Sequence, residues 1–228
     1  VVSTERGVIP APAGLDAVHA AALPEDFLTA YRALYIEGGL KPGQWAVIRP
    51  ATSGVGLAGV QLVKALGGRC IGTSRNAERL RAAEEQGLDV ALVDSGDGVA
   101  SQVMEATGGE GAAVVFDMLG AKALGDNMSA LRLEGSVVII GLLTGAKSDI
   151  NLGQLLMRRL RVRAMTMRAQ PLEERIRIAQ IFSDRLAPLF ESGQLKPVLS
   201  LKHPFDDAPG AHAAMAANRH LGKIVLEL

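Results

Sequence analysis

The stretch RPATSGVGLAGVQLVKALG, from Arg49 to Gly67, places small and hydroxyl side chains where an apolar run gives way to a helical pattern. The N–H groups at a helix start, together with the positive end of the helix dipole, bind anions such as a pyrophosphate. The loop therefore predicts a nucleotide phosphate site, formed by Thr52, Ser53, Gly54, Val55 and Gly56. Only Gly56 keeps its place in the G-x-G-x-x-G pattern, so a tight turn that binds nothing is the alternative.

The end of the next apolar run discriminates between the two nicotinamide cofactors. NAD-binding folds place an acidic residue about 20 residues after the glycines, whereas NADP-binding folds place a cation there. This chain has GTSRN at that point, with Arg75 19 residues after Gly56. Ser74 and Arg75 would bind the 2′-phosphate by hydrogen bond and charge, so the sequence predicts NADP(H). The alternative is that Arg75 is a solvated residue at a helix start.

Short β-rich runs alternate with helical patterns between Trp45 and Met167, and six such runs can be counted. Strands separated by helix-length segments are typical of parallel βαβ units. The predicted fold is therefore α/β, with a Rossmann-type, doubly wound, six-stranded parallel sheet. A long amphipathic helix after Gln170 and the final strand GKIVLEL do not continue this repeat, which indicates a further structural unit at the end of the chain.

Composition excludes several other classes of protein. The 24 basic and 24 acidic residues among 228 cancel, so nucleic acid is not an expected partner. No run reaches the roughly 18 apolar residues that a bilayer span needs, and no signal peptide is recognisable, so we expect a cytoplasmic protein without membrane association. Cys70 lies in an apolar run and is interpreted as a core residue. No metal site is predicted, because the four histidines are far apart and none is near the cysteine: His19, His203, His212 and His220.

Longer motifs point to one family. The segments AAALPEDFLTAYRALYIEGGLKPGQWAVIRPATSGVG and LKPVLSLKHPFDDAPGAHAAMAANRHLGKIVLEL resemble the zinc-independent quinone oxidoreductases of the medium-chain dehydrogenase/reductase superfamily. Within it, the phosphate loop with Ser before Gly-Val-Gly resembles the p53-inducible branch. The resemblance covers essentially the whole chain, and it implies a homodimer that pairs through the edge strand near residues 161–167.

The resemblance also implies roles for individual residues. Thr29 would lie near the nicotinamide, the loop 52–56 would bind the pyrophosphate, and Ser74 with Arg75 would bind the 2′-phosphate. The backbone around Gly141, Leu142 and Leu143 would flank the nicotinamide ring, and Asn218 would contact the cofactor. Met167 and Arg168 would lie close to the substrate pocket.

Two features depart from the family pattern. Asp94 stands where the family often has a tyrosine near the adenosine phosphate, and an extra carboxylate there is expected to weaken NADPH binding. Family members also begin with a GroES-like barrel, of which this chain holds only the end. We therefore expect residues 1–15 to be the end of a catalytic domain, 16–168 a nucleotide-binding domain with leading helices, and 169–228 a remnant of the catalytic domain.

The leading functional hypothesis is NADPH-dependent hydride transfer to a quinone or an activated alkene. The chemistry would be the cofactor's, while the protein orients it, and no side-chain acid or base is required. The competing hypothesis is a module that binds NADP(H) without catalysis, because most of the barrel wall of the substrate cleft is absent.

Overall fold

The computed structural model of the protein describes residues 4–96, 98–217 and 220–228. Its strands are β1 (Trp45–Arg49), β2 (Arg69–Ser74), β3 (Val90–Val93), β4 (Ala112–Asp117), β5 (Leu131–Ile139), β6 (Arg161–Ala164), β7 (Leu199–Pro204) and β8 (Lys223–Glu227). The first six form one parallel sheet in the order β3-β2-β1-β4-β5-β6. The predicted six-stranded Rossmann-type sheet is therefore confirmed.

The helices are α1 (Ala17–Ala21), α2 (Pro24–Tyr31), α3 (Gly54–Ala65), α4 (Ala77–Glu85), α5 (Val99–Ala106), α6 (Leu124–Ser129), α7 (Leu152–Met157), α8 (Leu172–Ile181), α9 (Ala187–Glu191) and α10 (Ala208–Ala216). Two π-helical segments, Arg32–Glu37 and Phe182–Leu186, continue α2 and join α8 to α9. Three 3₁₀ turns complete the described elements: Glu5–Gly7, Ala121–Ala123 and Phe205–Asp207.

Strand β1 shows why the sheet is apolar on both faces. Ala46 and Ile48 belong to one buried cluster, while Trp45 and Val47 belong to the other. Successive side chains of a strand point to opposite faces, so each cluster lies on one side of the sheet and helices cover both. The central strands are thereby removed from water, and their carboxyl ends lie together at one edge.

Strand β6 is shorter than the sequence predicts. The run RVRAMTM predicts a strand over 161–167, but the strand ends at Ala164, which pairs with Ile139 at the end of β5. Beyond Ile139 the neighbouring strand no longer offers a ladder, and the chain turns so that Met165 packs into the core. The prediction was wrong by three residues because pairing partners, rather than alternation, set the length of a strand.

The end of the chain forms a separate, smaller layer. Phe27 of α2 makes an edge-on contact with Phe190 of α9 at 4.7 Å between ring centroids, and Phe182 stacks on Phe190 at 5.8 Å. These ring contacts hold α9 and the π-helical segment that joins it to α8 against α2. Strands β7 and β8 pair in parallel with each other and form a two-stranded sheet of their own.

Candidate functional site

The loop after β1 is built around a helix cap. Ser53 has an extended backbone, and its Oγ accepts a hydrogen bond of 3.0 Å from the N–H of Gly56, so α3 begins at Gly54. By helix geometry, the N–H groups of Gly54 and Val55 have no acceptor within the helix. They point out of the start of a 12-residue helix, where an anion is favoured.

Two glycines hold α3 tightly against the sheet. A Cβ on Gly56 would lie 2.8 Å from the carbonyl carbon of Ala51, closer than real Cβ atoms come to backbone. A Cβ on Gly59 would lie 3.0 Å from Cδ1 of Ile48 and 3.4 Å from the ring of Phe116. Gly56 therefore serves the close packing of helix on strand that the third glycine of the fingerprint provides.

The ends of β1 and β2 meet through hydroxyl groups. Thr52 Oγ1 donates to Ser74 Oγ at 3.2 Å, and both residues are buried. Ser74 Oγ also accepts from the N–H of Asn76, the residue that caps α4. Arg75 lies between them and is exposed. Within the ranges 4–96, 98–217 and 220–228, its guanidinium forms no ion pair, so its charge is available to a ligand.

Arg49, at the end of β1, is a functional candidate that sequence reasoning missed. Its side chain is only 1% exposed. The guanidinium donates to Asp94 at 2.7 Å, to Asp126 at 2.7 Å and to the side-chain oxygen of Asn127 at 2.7 Å. The only sequence signal was a charged residue closing an apolar strand. Asp94 shares the single positive charge of Arg49 with Asp126, and the weakening of NADPH binding that Asp94 predicts stays a prediction.

The opposite half of the edge is formed by β4, β5 and the loops after them. Asp117 is fully buried and accepts hydrogen bonds from the N–H groups of Leu119 at 2.8 Å and Gly120 at 3.1 Å. Burial raises the pKa of the Asp117 carboxyl above its ordinary value, against these hydrogen bonds. The carboxylate therefore shapes the turn that begins at Met118.

The loop after β5 is held in place by backbone contacts with Met118, whereas the side chains of Leu142 and Leu143 are exposed. A Cβ on Gly141 would lie 2.8 Å from the carbonyl oxygen of Met118, and the N–H of Leu143 donates to that same oxygen at 3.3 Å. Leu142 is 56% exposed and Leu143 74% exposed. Met118 also joins the two halves, because its sulfur lies 3.2 Å from Ser53 Oγ. Gly141 and Ser53 are thus linked through one residue.

The remaining predicted residues occupy different positions. Thr29 is buried on α2, which packs against α3, and its Oγ1 has no hydrogen-bond partner in the described part of the chain. Met167 is half-buried against the core, whereas Arg168 is exposed, and no described hydrogen bond or ion pair joins either to the phosphate loop. Asn218 lies outside the described residues.

No metal cluster is present in the residues that the structure describes. Over these ranges no group of three or more His, Cys, Asp or Glu side chains is placed to hold a metal ion. His19 binds Asp16 at 2.7 Å and His203 binds Asp207 at 2.8 Å. Cys70 is buried, which confirms it as a core residue, and burial raises the pKa of its thiol. None of the described helices is long and apolar enough to cross a membrane.

Comparison with known proteins defines the family. The family model described as "Zinc-binding dehydrogenase" matches residues 54–182, more than half of the chain. The chain belongs to this dehydrogenase family. A quinone oxidoreductase of Pseudomonas aeruginosa is 30% identical over 227 residues, covering 99% of this chain and 69% of the relative. The resemblance to the medium-chain quinone oxidoreductases is thereby confirmed.

Solved structures of the family agree with the fold. A crystal structure of an NAD-dependent alcohol dehydrogenase matches with a TM-score of 0.87 and 29% identity, over 100% of this chain and 64% of that one. The quinone oxidoreductase of Escherichia coli, solved in complex with NADPH, matches with a TM-score of 0.81 and 28% identity, over 95% of this chain and 67% of that one. The chain therefore spans about two thirds of the length of these family members.

Proposed function

We propose that this dehydrogenase chain binds NADP(H) at the carboxyl edge of its six-stranded sheet and transfers hydride from NADPH to a quinone or an activated alkene. The observation that carries the proposal is the start of α3. Gly56 packs against the backbone of Ala51, and the free N–H groups of Gly54 and Val55 face the edge where β1 and β2 end. This is the geometry that suits a pyrophosphate.

The choice of NADP(H) over NAD(H) rests on charge at the end of β2. Arg75 is exposed and Ser74 places its hydroxyl beside Thr52, whereas no acidic residue follows the strand directly. Asp94, the nearest acid at the end of β3, is held by Arg49 at 2.7 Å. The Escherichia coli relative binds NADPH, which supports the same preference, while the alcohol dehydrogenase relative is NAD-dependent. Direct comparison of the two cofactors is therefore the decisive test.

The residues of this chain would divide the work of holding the cofactor. The loop 52–56 would bind the pyrophosphate, Ser74 and Arg75 the 2′-phosphate, and Thr29 with the backbone of Gly141 the nicotinamide. The bound cofactor supplies the hydride. Leu142 and Leu143 are exposed, and covering them with cofactor and substrate would exclude water from the transfer. Met167 and Arg168 are proposed to lie close to the substrate and Asn218 to contact the cofactor, as the family resemblance implies.

Several further properties belong to the same proposal. We infer zinc-independent chemistry, a cytoplasmic location, and the division at residues 15 and 168 that the sequence predicts. We also infer a homodimer through the edge strand near 161–167. All four residues of β6 are exposed, and among the strands of the described residues β6 pairs with β5 alone. Sedimentation velocity at micromolar concentration tests the dimer, and a monomer there would contradict it.

A calorimetric titration with NADPH and then NADH tests the proposed function. We expect NADPH to bind at least about tenfold more tightly, a difference of about 1.4 kcal/mol. Addition of 1,2-naphthoquinone should then lower the absorbance of the reduced nicotinamide. Binding without oxidation would favour the alternative, a module that binds NADP(H) without catalysis. Absence of NADPH binding would refute the proposal.

A further inference from the structure

A buried carboxylate lies beside the proposed pyrophosphate site. Asp26, in the first turn of α2, is 5% exposed. Its Oδ2 is so close to α3 that a Cβ on Gly54 would lie 2.5 Å from it. Its Oδ1 accepts a hydrogen bond of 2.7 Å from Nζ of Lys223, the first residue of β8. The carboxylate thus connects α2, the start of α3 and the end of the chain.

The position of Asp26 has opposite effects with and without a nucleotide. A carboxylate at a helix N-terminus interacts favourably with the helix dipole, so Asp26 stabilises the start of α3 when the site is empty. When phosphates occupy the same helix end, the carboxylate and the phosphates repel each other. The Lys223 side chain is 29% exposed, and its ammonium lies 2.7 Å from Asp26 Oδ1, so it supplies the opposite charge through a direct salt bridge.

We propose that Lys223 cancels the charge of Asp26, and that this pair sets the affinity of the phosphate loop for the cofactor. The inference rests on the proposed NADP(H) site. Asp26 acts in this scheme through its charge, because its carboxylate lies beside Gly54, the first residue of α3. Lys223 contributes by neutralisation rather than by contact with the cofactor.

A double-mutant cycle on NADPH affinity tests the pair, with calorimetry on the full chain as the readout. Lys223→Met leaves the carboxylate uncompensated and is expected to raise the Kd for NADPH by about tenfold. Asp26→Asn removes the repulsion and is expected to lower the Kd for NADPH. The double variant should return to within about threefold of the parent, because neither charge remains.

Two control variants remove exposed charges and leave the contact between Lys223 and Asp26 in place. Glu25→Gln removes an exposed carboxylate from the same turn of α2, and Lys202→Met removes an exposed ammonium from β7. Each is expected to change the Kd for NADPH by less than about twofold, as exposed charges are screened by solvent. The tenfold loss in Lys223→Met should also shrink as salt is raised, since it is electrostatic.

The outcomes separate this inference from the proposed function. If the parent binds NADPH but Asp26→Asn weakens binding, or if the double variant stays as weak as Lys223→Met, Lys223 acts on the cofactor or the fold directly and the inference is overturned. If Lys223→Met does not fold, Asp26→Asn alone still decides, because removal of a carboxylate that repels the phosphates must tighten NADPH binding, and an unchanged Kd would overturn the inference. A parent that binds neither NADPH nor inorganic pyrophosphate would refute the site and the pair together.

Discussion

The two halves of the sheet edge are built in different ways. After β1, the chain enters α3 through a short loop whose glycines press against backbone and whose Ser53 caps the helix. After β5, a longer segment reaches α7 and exposes Leu142 and Leu143. Backbone packing and the Ser53 cap complete the first half, whereas the second half leaves apolar side chains exposed. The pyrophosphate, which all dinucleotide cofactors share, would bind at the half after β1, here called the finished half. The reactive nicotinamide ring would bind at the half after β5, here called the open half.

Two clefts in the described residues lie outside both halves of the sheet edge. A cleft of about 310 Å³ lies at the two-stranded sheet and is lined by Lys202, His203, Pro204, Glu227 and Leu228. A smaller one of about 140 Å³ lies between α10 and β8. Neither cleft is lined by a residue of 49–56, 74–75 or 141–143. An open edge with directed N–H groups is better placed to bind phosphates than either cleft.

Gly56→Val should have the largest effect on the finished half. The new side chain would collide with the backbone of Ala51 and push α3 away from β1, so that its N–H groups no longer converge. We expect NADPH and NADH affinity to fall by more than roughly 100-fold, equivalent to about 2.7 kcal/mol or more. Calorimetry measures the loss, and circular dichroism shows whether the variant has folded.

Gly125→Ala is the matched control for Gly56→Val. Gly125 also lies in a helix, α6, but a Cβ there would meet no atom within 4 Å. Alanine in place of an exposed helical glycine should stabilise the fold by up to about 1 kcal/mol and leave cofactor affinity unchanged. Normal NADPH binding by a folded Gly56→Val variant would show that the loop does not bind phosphates.

Arg49→Met tests whether the two halves depend on a shared ion-pair network. The substitution leaves Asp94 and Asp126 without their buried cation, and we expect a loss of about 3 kcal/mol in the free energy of unfolding. Urea denaturation measures it. Arg6→Met is the control, because the Arg6–Glu173 pair is exposed and such pairs contribute at most about 1 kcal/mol. Equal losses in both variants would mean that burial of Arg49 is energetically unimportant.

The sequence predicted the finished half far better than it predicted the contacts that support it. Small residues and hydroxyls adjacent in sequence identified the loop 52–56, because strand, turn and helix start are local features. Arg49 and Asp126 are 77 positions apart, and Asp26 and Lys223 are 197 apart. Such pairs depend on the order of strands in the sheet and on the return of β8 to α2. A single sequence carries no spacing signal for them.

The open half was predicted only through family resemblance. Gly141 is positioned by the backbone of Met118, a contact between loops of adjacent strands that only the sheet order reveals. The exposure of Leu142 and Leu143 could not be predicted from the sequence, because two adjacent leucines ordinarily indicate buried core positions. The end of β6 at Ala164 was missed for the same reason, since the length of β5 decides it.

Arg75→Ala should lower the affinity for NADPH and leave the affinity for NADH nearly unchanged. Loss of a charge that meets only the 2′-phosphate is expected to raise the Kd for NADPH by roughly 10- to 100-fold, and to change the Kd for NADH by less than about twofold. Arg81→Ala, an exposed cation on the next helical segment, is the control and should alter neither. Parallel losses for NADPH and NADH in Arg75→Ala would remove Arg75 from the 2′-phosphate site.

Leu143→Ala should have the smallest effect and addresses the open half directly. The side chain is 74% exposed and its N–H, which stays in the variant, makes the contact with Met118. We therefore expect the Kd for NADPH to change by less than about threefold, because little of the Leu143 side chain is buried before substrate arrives. If substrate covers this leucine, the KM for 1,2-naphthoquinone should rise more than the Kd for NADPH. A tenfold loss of NADPH affinity would instead mean that the cofactor itself buries the side chain. Both halves of the edge would then contribute to the affinity for the cofactor.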